Sequence, residues 1–171
     1  MSQGEEEIQT LRKRSLPLLV GATALALVAS AVPMLQKSAA RSRDHARLTA
    51  MFDVNRALQA FERDHGAPPA HVPDPGSGGW ETSRNGCFLD LLVRDGYLAA
   101  TRLDPVNSRE FQFRYHRYEQ GEYGNQEPFY VLALTGFEDV STADQLPHGV
   151  GGLSLGGRDW SLEFPLVLGG L

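Results

Sequence analysis

The residues best suited to chemistry sit in one loop. Glu138, Asp139, Ser141 and Asp144, within FEDVSTADQ, offer hard oxygen ligands of the kind that calcium takes. No glycine at an EF-hand-like position accompanies them, so a plain surface loop is the competing expectation. Five histidines, at 45, 65, 71, 116 and 148, show no metal-ligand spacing. Cys87 is the only cysteine, which excludes an intrachain disulfide and the cysteine-rich zinc sites. Beside Phe88 and Leu89 it reads as a small buried hydrophobe. GSGGW follows a Pro-rich loop, not a strand, and is therefore a turn and no phosphate cradle. No serine sits in a nucleophile-elbow context, and adjacent Glu138 and Asp139 read as solvated loop carboxylates. The expectation is a protein without catalysis, with calcium at Glu138, Asp139 and Asp144 the one cofactor left open.

The elements that would carry that loop are a long helix and a small head. The 171 residues suffice for one compact domain plus an anchor. The net charge of -5 is unevenly spread: from Gly66 onward there are 14 acidic and 7 basic residues, against 4 and 6 in Gln36 to His65. An acidic head argues against a nucleic-acid partner, whose phosphates call for clustered Lys and Arg.

Residues 1–15 read as a polar cytoplasmic tail. Residues 16–35, LPLLVGATALALVASAVPML, form an uncharged transmembrane segment of about the length that crosses hydrocarbon. Arg12, Lys13 and Arg14 ahead of it favour a cytoplasmic amino terminus and an extracytoplasmic head in a single-pass inner-membrane protein. Ala29-Ser30-Ala31 also satisfies the small-x-small rule of a cleavable signal peptide, and this alternative stays open.

Residues 36–65 continue as an amphipathic stalk. Leu48, Met51, Phe52, Val54, Leu58 and Phe61 recur by threes and fours on one face, and Arg47, Arg56, Gln59 and Arg63 take the remaining surface. Gly66, with Pro68 and Pro69 beyond it, stops the helix. Run together from Leu16 to His65, these segments would span ~75 Å. Ala39, Ala40 and Ala46 would permit close approach of another helix.

The stretch AVPMLQKSAARSRDHARLTAMFDVNRALQAFERDHGAPP resembles the amino-terminal helix of type IV pilins and type II secretion pseudopilins, with Pro33 where that family's helix proline falls. FLDLLVRDGYLAATRLDP resembles the helix and exit loop of the major-pseudopilin group, and FQFRYHRY with FYVLALTGFED resembles the strands that follow. The resemblance covers roughly residues 16–139. It implies a long transmembrane and stalk helix packed on a small antiparallel sheet. It also implies an assembly role with the membrane, other pilin-like subunits or secretion and pilus machinery as partners. The acidic loop stands where major pseudopilins bind calcium, without matching residue by residue. Aligned on Pro33, Leu16 replaces the family's docking glutamate and Leu11 its cleavage glycine, so the prepilin peptidase site is missing. Leu16, Pro33, Leu48, Met51, Leu58 and Phe61 are the expected assembly and packing residues. A membrane-anchored binding or regulatory module on the same fold is the alternative.

Residues 66–171 are expected to form an α+β extracytoplasmic head. Residues 71–86 are turn-rich, with Trp80 pinning them to the core. A helix is expected from Phe88 to Asp95, then a strand over Glu110 to Tyr118 by its period-two alternation. In the next strand Tyr130, Leu132 and Leu134 share one face, and Val131 and Ala133 the other. Short strands over Gly152 to Leu155 and Trp160 to Phe164, joined at Gly156-Gly157, would extend the sheet.

Overall fold

The computed structural model describes the backbone of residues 3–146, 153–155 and 158–170, and the side chains of 33–146, 153–154 and 158–170. Helix α1 is Gln3–His65. Residues 1–40 group as one unit, helical from Gln3, and Arg41 to Leu171 as a second. The expected transmembrane segment, Leu16 included, lies almost wholly outside the described side chains. Among the described residues no helix is long and apolar enough to cross a membrane.

The second unit is α+β. Its strands are β1 (Glu81–Thr82), β2 (Phe113–Tyr118), β3 (Phe129–Leu134), β4 (Ser154–Leu155), β5 (Arg158–Asp159) and β6 (Leu166–Gly170), and a short helix, α2, spans Asp90–Arg94. An antiparallel sheet runs β1-β2-β3-β6, while β4 and β5 form a separate hairpin. The expected central hairpin is present, with Tyr115 opposite Leu132 and Tyr118 opposite Phe129.

One face of the sheet is covered by α1. Met51, Val54, Leu58 and Phe61 are buried against Tyr115, Tyr130, Leu132 and Leu134, with Phe88, Leu89 and Leu92 closing the layer. Each such side chain contributes roughly 1.5–3 kcal/mol when fully buried. Gly66 ends the helix in a left-handed conformation (φ +77°), its N–H donating to the Glu62 carbonyl at 2.7 Å.

Every residue of β3 is buried. Phe129, Val131 and Ala133, on its other face, are covered by Trp160, Phe164 and Val167, with Trp80 and Tyr123 at the rim. The carboxy-terminal stretch therefore completes a second apolar layer.

Several expectations are corrected. Residues Trp160–Leu162 form a tight helical turn instead of a strand, because the Asp159 side chain accepts the Ser161 N–H and turns the chain. The fourth strand of the sheet is β6, just beyond Pro165, at an edge that tolerates a preceding proline. The helix expected from Phe88 starts only at Asp90, after Leu89 at φ +51°, a backbone that drives Phe88 and Leu89 into the core. That same turn leaves Cys87 exposed. Phe52 lies one position off the stripe and is 38% exposed. Arg47, expected on the surface, is fully buried.

Candidate functional site

Burying a guanidinium requires partners, and Arg47 has three. On α1 itself Asp44 lies one turn earlier, and its Oδ1 accepts from Arg47 Nη1 at 2.6 Å. From the loop before β2, Asp104 meets the guanidinium fork to fork, Nε to Oδ2 at 2.7 Å and Nη2 to Oδ1 at 3.1 Å. From the loop after β3, Glu138 Oε1 lies 2.8 Å from Nη1. The Phe111 ring lies under the cation at 4.9 Å.

The same carboxylates also organise backbone. Asp104 Oδ1 accepts the Val106 and Asn107 N–H groups at 2.8 and 3.0 Å, which makes Asp104-Pro105 a turn. Asp44 accepts the Glu138 N–H at 3.0 Å, the Asp139 N–H at 2.8 Å and the Thr142 hydroxyl at 3.2 Å. Arg43 grips Glu138 through both of its oxygens, at 2.8 and 2.5 Å, and Arg41 Nε donates to Asp139 at 2.7 Å. Three arginines on one helix segment thus meet four carboxylates drawn from the helix and two loops.

Electrostatics follow from that arrangement. Burial opposes the Arg47 charge, but Asp104, Glu138 and Asp44 outweigh it and push its pKa up. Hydrogen bonds from Arg43, then Arg47, pull Glu138 down to about 2 despite its partial burial. Asp139 also falls to about 2, held first by the Ser141 hydroxyl and then by Arg41. All these contacts favour the charged forms, so the cluster is a fixed electrostatic clamp joining α1 to both loops.

The clamp recasts the proposed cation loop. Glu138 and Asp139 are brought together but turned toward arginines, and Asp144 is exposed in the turn Val140–Gln145. Among the described residues no group of three or more His, Cys, Asp or Glu is arranged to hold a metal. Of the expected packing residues, Met51, Leu58 and Phe61 are buried in the core and Leu48 packs half-buried against it. Pro33 lies within α1, and Leu16 lies outside the described side chains. Sequence reasoning placed Arg47 on the helix surface and read no functional role into Asp44 or Asp104. Their one local signal is the i,i+3 spacing of Asp44 and Arg47, which is common on exposed helices.

A second polar cluster joins two histidines that the sequence separates. The His71 and His116 rings lie 4.1 Å apart, His116 Nδ1 is 2.9 Å from the Gly79 carbonyl, and His71 Nδ1 accepts the Arg117 N–H at 3.3 Å. Burial, then the neighbouring His116, lowers the His71 pKa. Trp80 lies nearby, its ring tilted 52° to that of His116 at 5.5 Å, so the pair fastens the turn-rich segment to β2.

Comparison with known proteins returns no match among family models, curated proteins or solved structures.

Proposed function

We propose that the chain is a non-enzymatic, pilin- or pseudopilin-like structural component, anchored by residues 16–35 in the inner membrane with its head outside the cytoplasm. It would act in a type II secretion or type IV pilus-type assembly. The observation that carries this reading is the union of helix and head. The stripe Met51, Val54, Leu58 and Phe61 forms one layer of the core, and the Arg47 clamp ties the same helix to the loops before β2 and after β3. A helix so built into the head is suited to transmit position from an anchor to a docking surface. The uncharged segment LPLLVGATALALVASAVPML, immediately upstream, supplies the anchor in this reading.

Leu16 and Leu11, standing where the pilins that the sequence resembles carry glutamate and glycine, favour a second reading. In it the chain is a membrane-anchored binding or regulatory module that keeps the fold without entering a filament.

The anchor is tested by extracting membranes with alkaline carbonate and reading the mature amino terminus by mass spectrometry. Recovery in the membrane pellet with residues 16–35 intact supports both readings. A soluble chain beginning at Val32, after a cut at Ala31, would overturn both.

A further inference from the structure

A groove beside α1 is basic although the head as a whole is acidic. Asp53, Arg56, Ala60 and Arg63 follow one another at helical spacing along its α1 side, and its volume is about 420 Å³. Tyr97, Leu98 and Arg102, from the chain beyond α2, form the other wall. Arg102 Nη2 lies 3.1 Å from Asp53, and Arg56 stands 3.6 Å from the same carboxylate with its side chain 77% exposed. Arg102 Nε is buried without a hydrogen-bond partner, so Asp53 does not satisfy that guanidinium. Arg63 is exposed. Near it Asp64 accepts the Tyr97 hydroxyl at 2.8 Å and is spent on the wall itself. Three arginines against one lining carboxylate leave the groove positive.

The charges also have a spacing. Arg56 and Arg63 stand two helical turns apart, ~10.5 Å along the axis. A single small oxyanion bridges that span only if both side chains fold inward over the floor. A polyproline II chain rises ~3.1 Å per residue with three residues per turn, so carboxylates at every third residue share one face ~9.3 Å apart. A second helix is too thick: ~10 Å across, it would fill roughly 850 Å³ over the same two turns. Ala57, Ala60 and Leu98 give a low apolar floor for the residues between the carboxylates. Aromatic rings mark both ends. Tyr97 packs edge-on against Phe61 at 5.4 Å, towards the end of α1, and Phe52, one turn before Arg56, is 38% exposed. Proline-rich chains dock in grooves of that aromatic kind.

We propose that the Arg56–Arg63–Arg102 groove is a docking site for an extended acidic peptide segment of a partner protein, with carboxylates at every third residue and proline between them. Arg56 and Arg63 each take one carboxylate, and Arg102 faces the same chain from the opposite wall. Arginine suits this task because its planar fork pairs with a carboxylate through two parallel hydrogen bonds. Charge pairing of this kind sets specificity and encounter rate more than raw affinity. The site is independent of the anchor, and it gives the chemistry of a partner under either reading above.

The test uses the full chain in nanodiscs of neutral lipid, with empty discs as control, and a fluorescein-labelled peptide of four Glu-Pro-Ala repeats. Anisotropy should show binding that weakens as salt rises and that Gln-Pro-Ala repeats lack. Arg56→Glu with Arg63→Glu should lower the affinity at least tenfold, whereas Arg94→Glu, outside the groove, should leave it unchanged within twofold. The reversed groove should take up Lys-Pro-Ala repeats instead, which a misfolded head would not do. No binding to the unaltered chain, or an equal loss with Arg94→Glu, overturns the proposal. Competition by inorganic phosphate at the concentration of the peptide would assign the groove to small anions and overturn the peptide partner. Equal binding of a peptide with glutamate at every second residue would overturn the spacing on which the match rests.

Discussion

Arg47 and Asp104 meet as a two-pronged ion pair, at 2.7 and 3.1 Å, with neither side chain exposed to solvent. The pair joins residues 57 positions apart, and through Asp44 and Glu138 it draws the two loops and α1 into one clamp. Buried ion pairs are poor sources of net stability against apolar replacements, but breaking one by removing a single partner is costly. The value of this one lies in position: it fixes where the helix enters the head.

Arg47→Ala should therefore destabilise the fold strongly, by about 3–5 kcal/mol, because Asp104 and Asp44 would remain buried without their cation. Arg41→Ala should cost under ~1 kcal/mol, since the Arg41 side chain is half exposed. Urea unfolding followed by tryptophan fluorescence separates the two. Similar losses for both would show that burial of Arg47 is not what matters.

Stability should also depend on acid. Glu138 has an ordinary value of 4.5 and sits at about 2 in the fold, so its carboxylate is favoured by folding. The stabilisation is complete above pH 4.5, declines as pH falls below that value, and is lost through pH 2. Asp139, lowered in the same direction by Ser141 and Arg41, adds to the decline. Arg43→Gln should flatten the slope of unfolding midpoint against pH in this window, while an unchanged slope would remove Arg43 as its main cause.

Gly169 in β6 leaves no room for a side chain. A Cβ there would lie 2.9 Å from the Tyr130 carbonyl oxygen and 2.7 Å from the Leu153 side chain. The backbone oxygen belongs to the neighbouring strand and cannot yield cheaply. Gly169→Ala should lower stability by about 1–3 kcal/mol in thermal unfolding, as overpacking does. A neutral result would mean that β6 does not press so closely on β3.

Cys87 is exposed, and Asp90 raises its thiol pKa by charge and hydrogen bonding. It should label fully in the native state yet slowly at neutral pH, and Asp90→Asn should quicken the reaction. Full protection until unfolding would instead return Cys87 to the core.

Much of the fold was legible because two periods are written plainly. Met51, Val54, Leu58 and Phe61 keep helical spacing, and Tyr130, Leu132 and Leu134 alternate with Val131 and Ala133, so both packed the expected faces. Trp80 was readable as an anchor because a large ring in a turn-rich stretch has little else to do. The clamp was not legible. Arg47 occupies a polar position of an amphipathic helix, and nothing local distinguishes a solvated arginine from one whose carboxylates arrive from Asp104 and Glu138. Likewise Glu138 and Asp139 resembled cation ligands because a linear sequence does not show which arginines face them. The strand expected at Trp160 failed for a local reason, the Asp159 side chain capturing the Ser161 N–H. β6 escaped notice because two of its five residues are glycines, which weaken any strand pattern.

The proposal that the chain works by lateral assembly is tested most directly along the helix. Single cysteines at Ala39, Ala46 and Thr49, in a Cys87→Ser chain kept in native membranes, should give disulfide-linked species with a second copy or another pilin-like subunit. The yield should vary with helical position, since only one face meets the neighbour. Monomer at all three positions under oxidation, from a chain that remains folded and in the membrane, would contradict assembly and leave the anchored binding module as the standing reading.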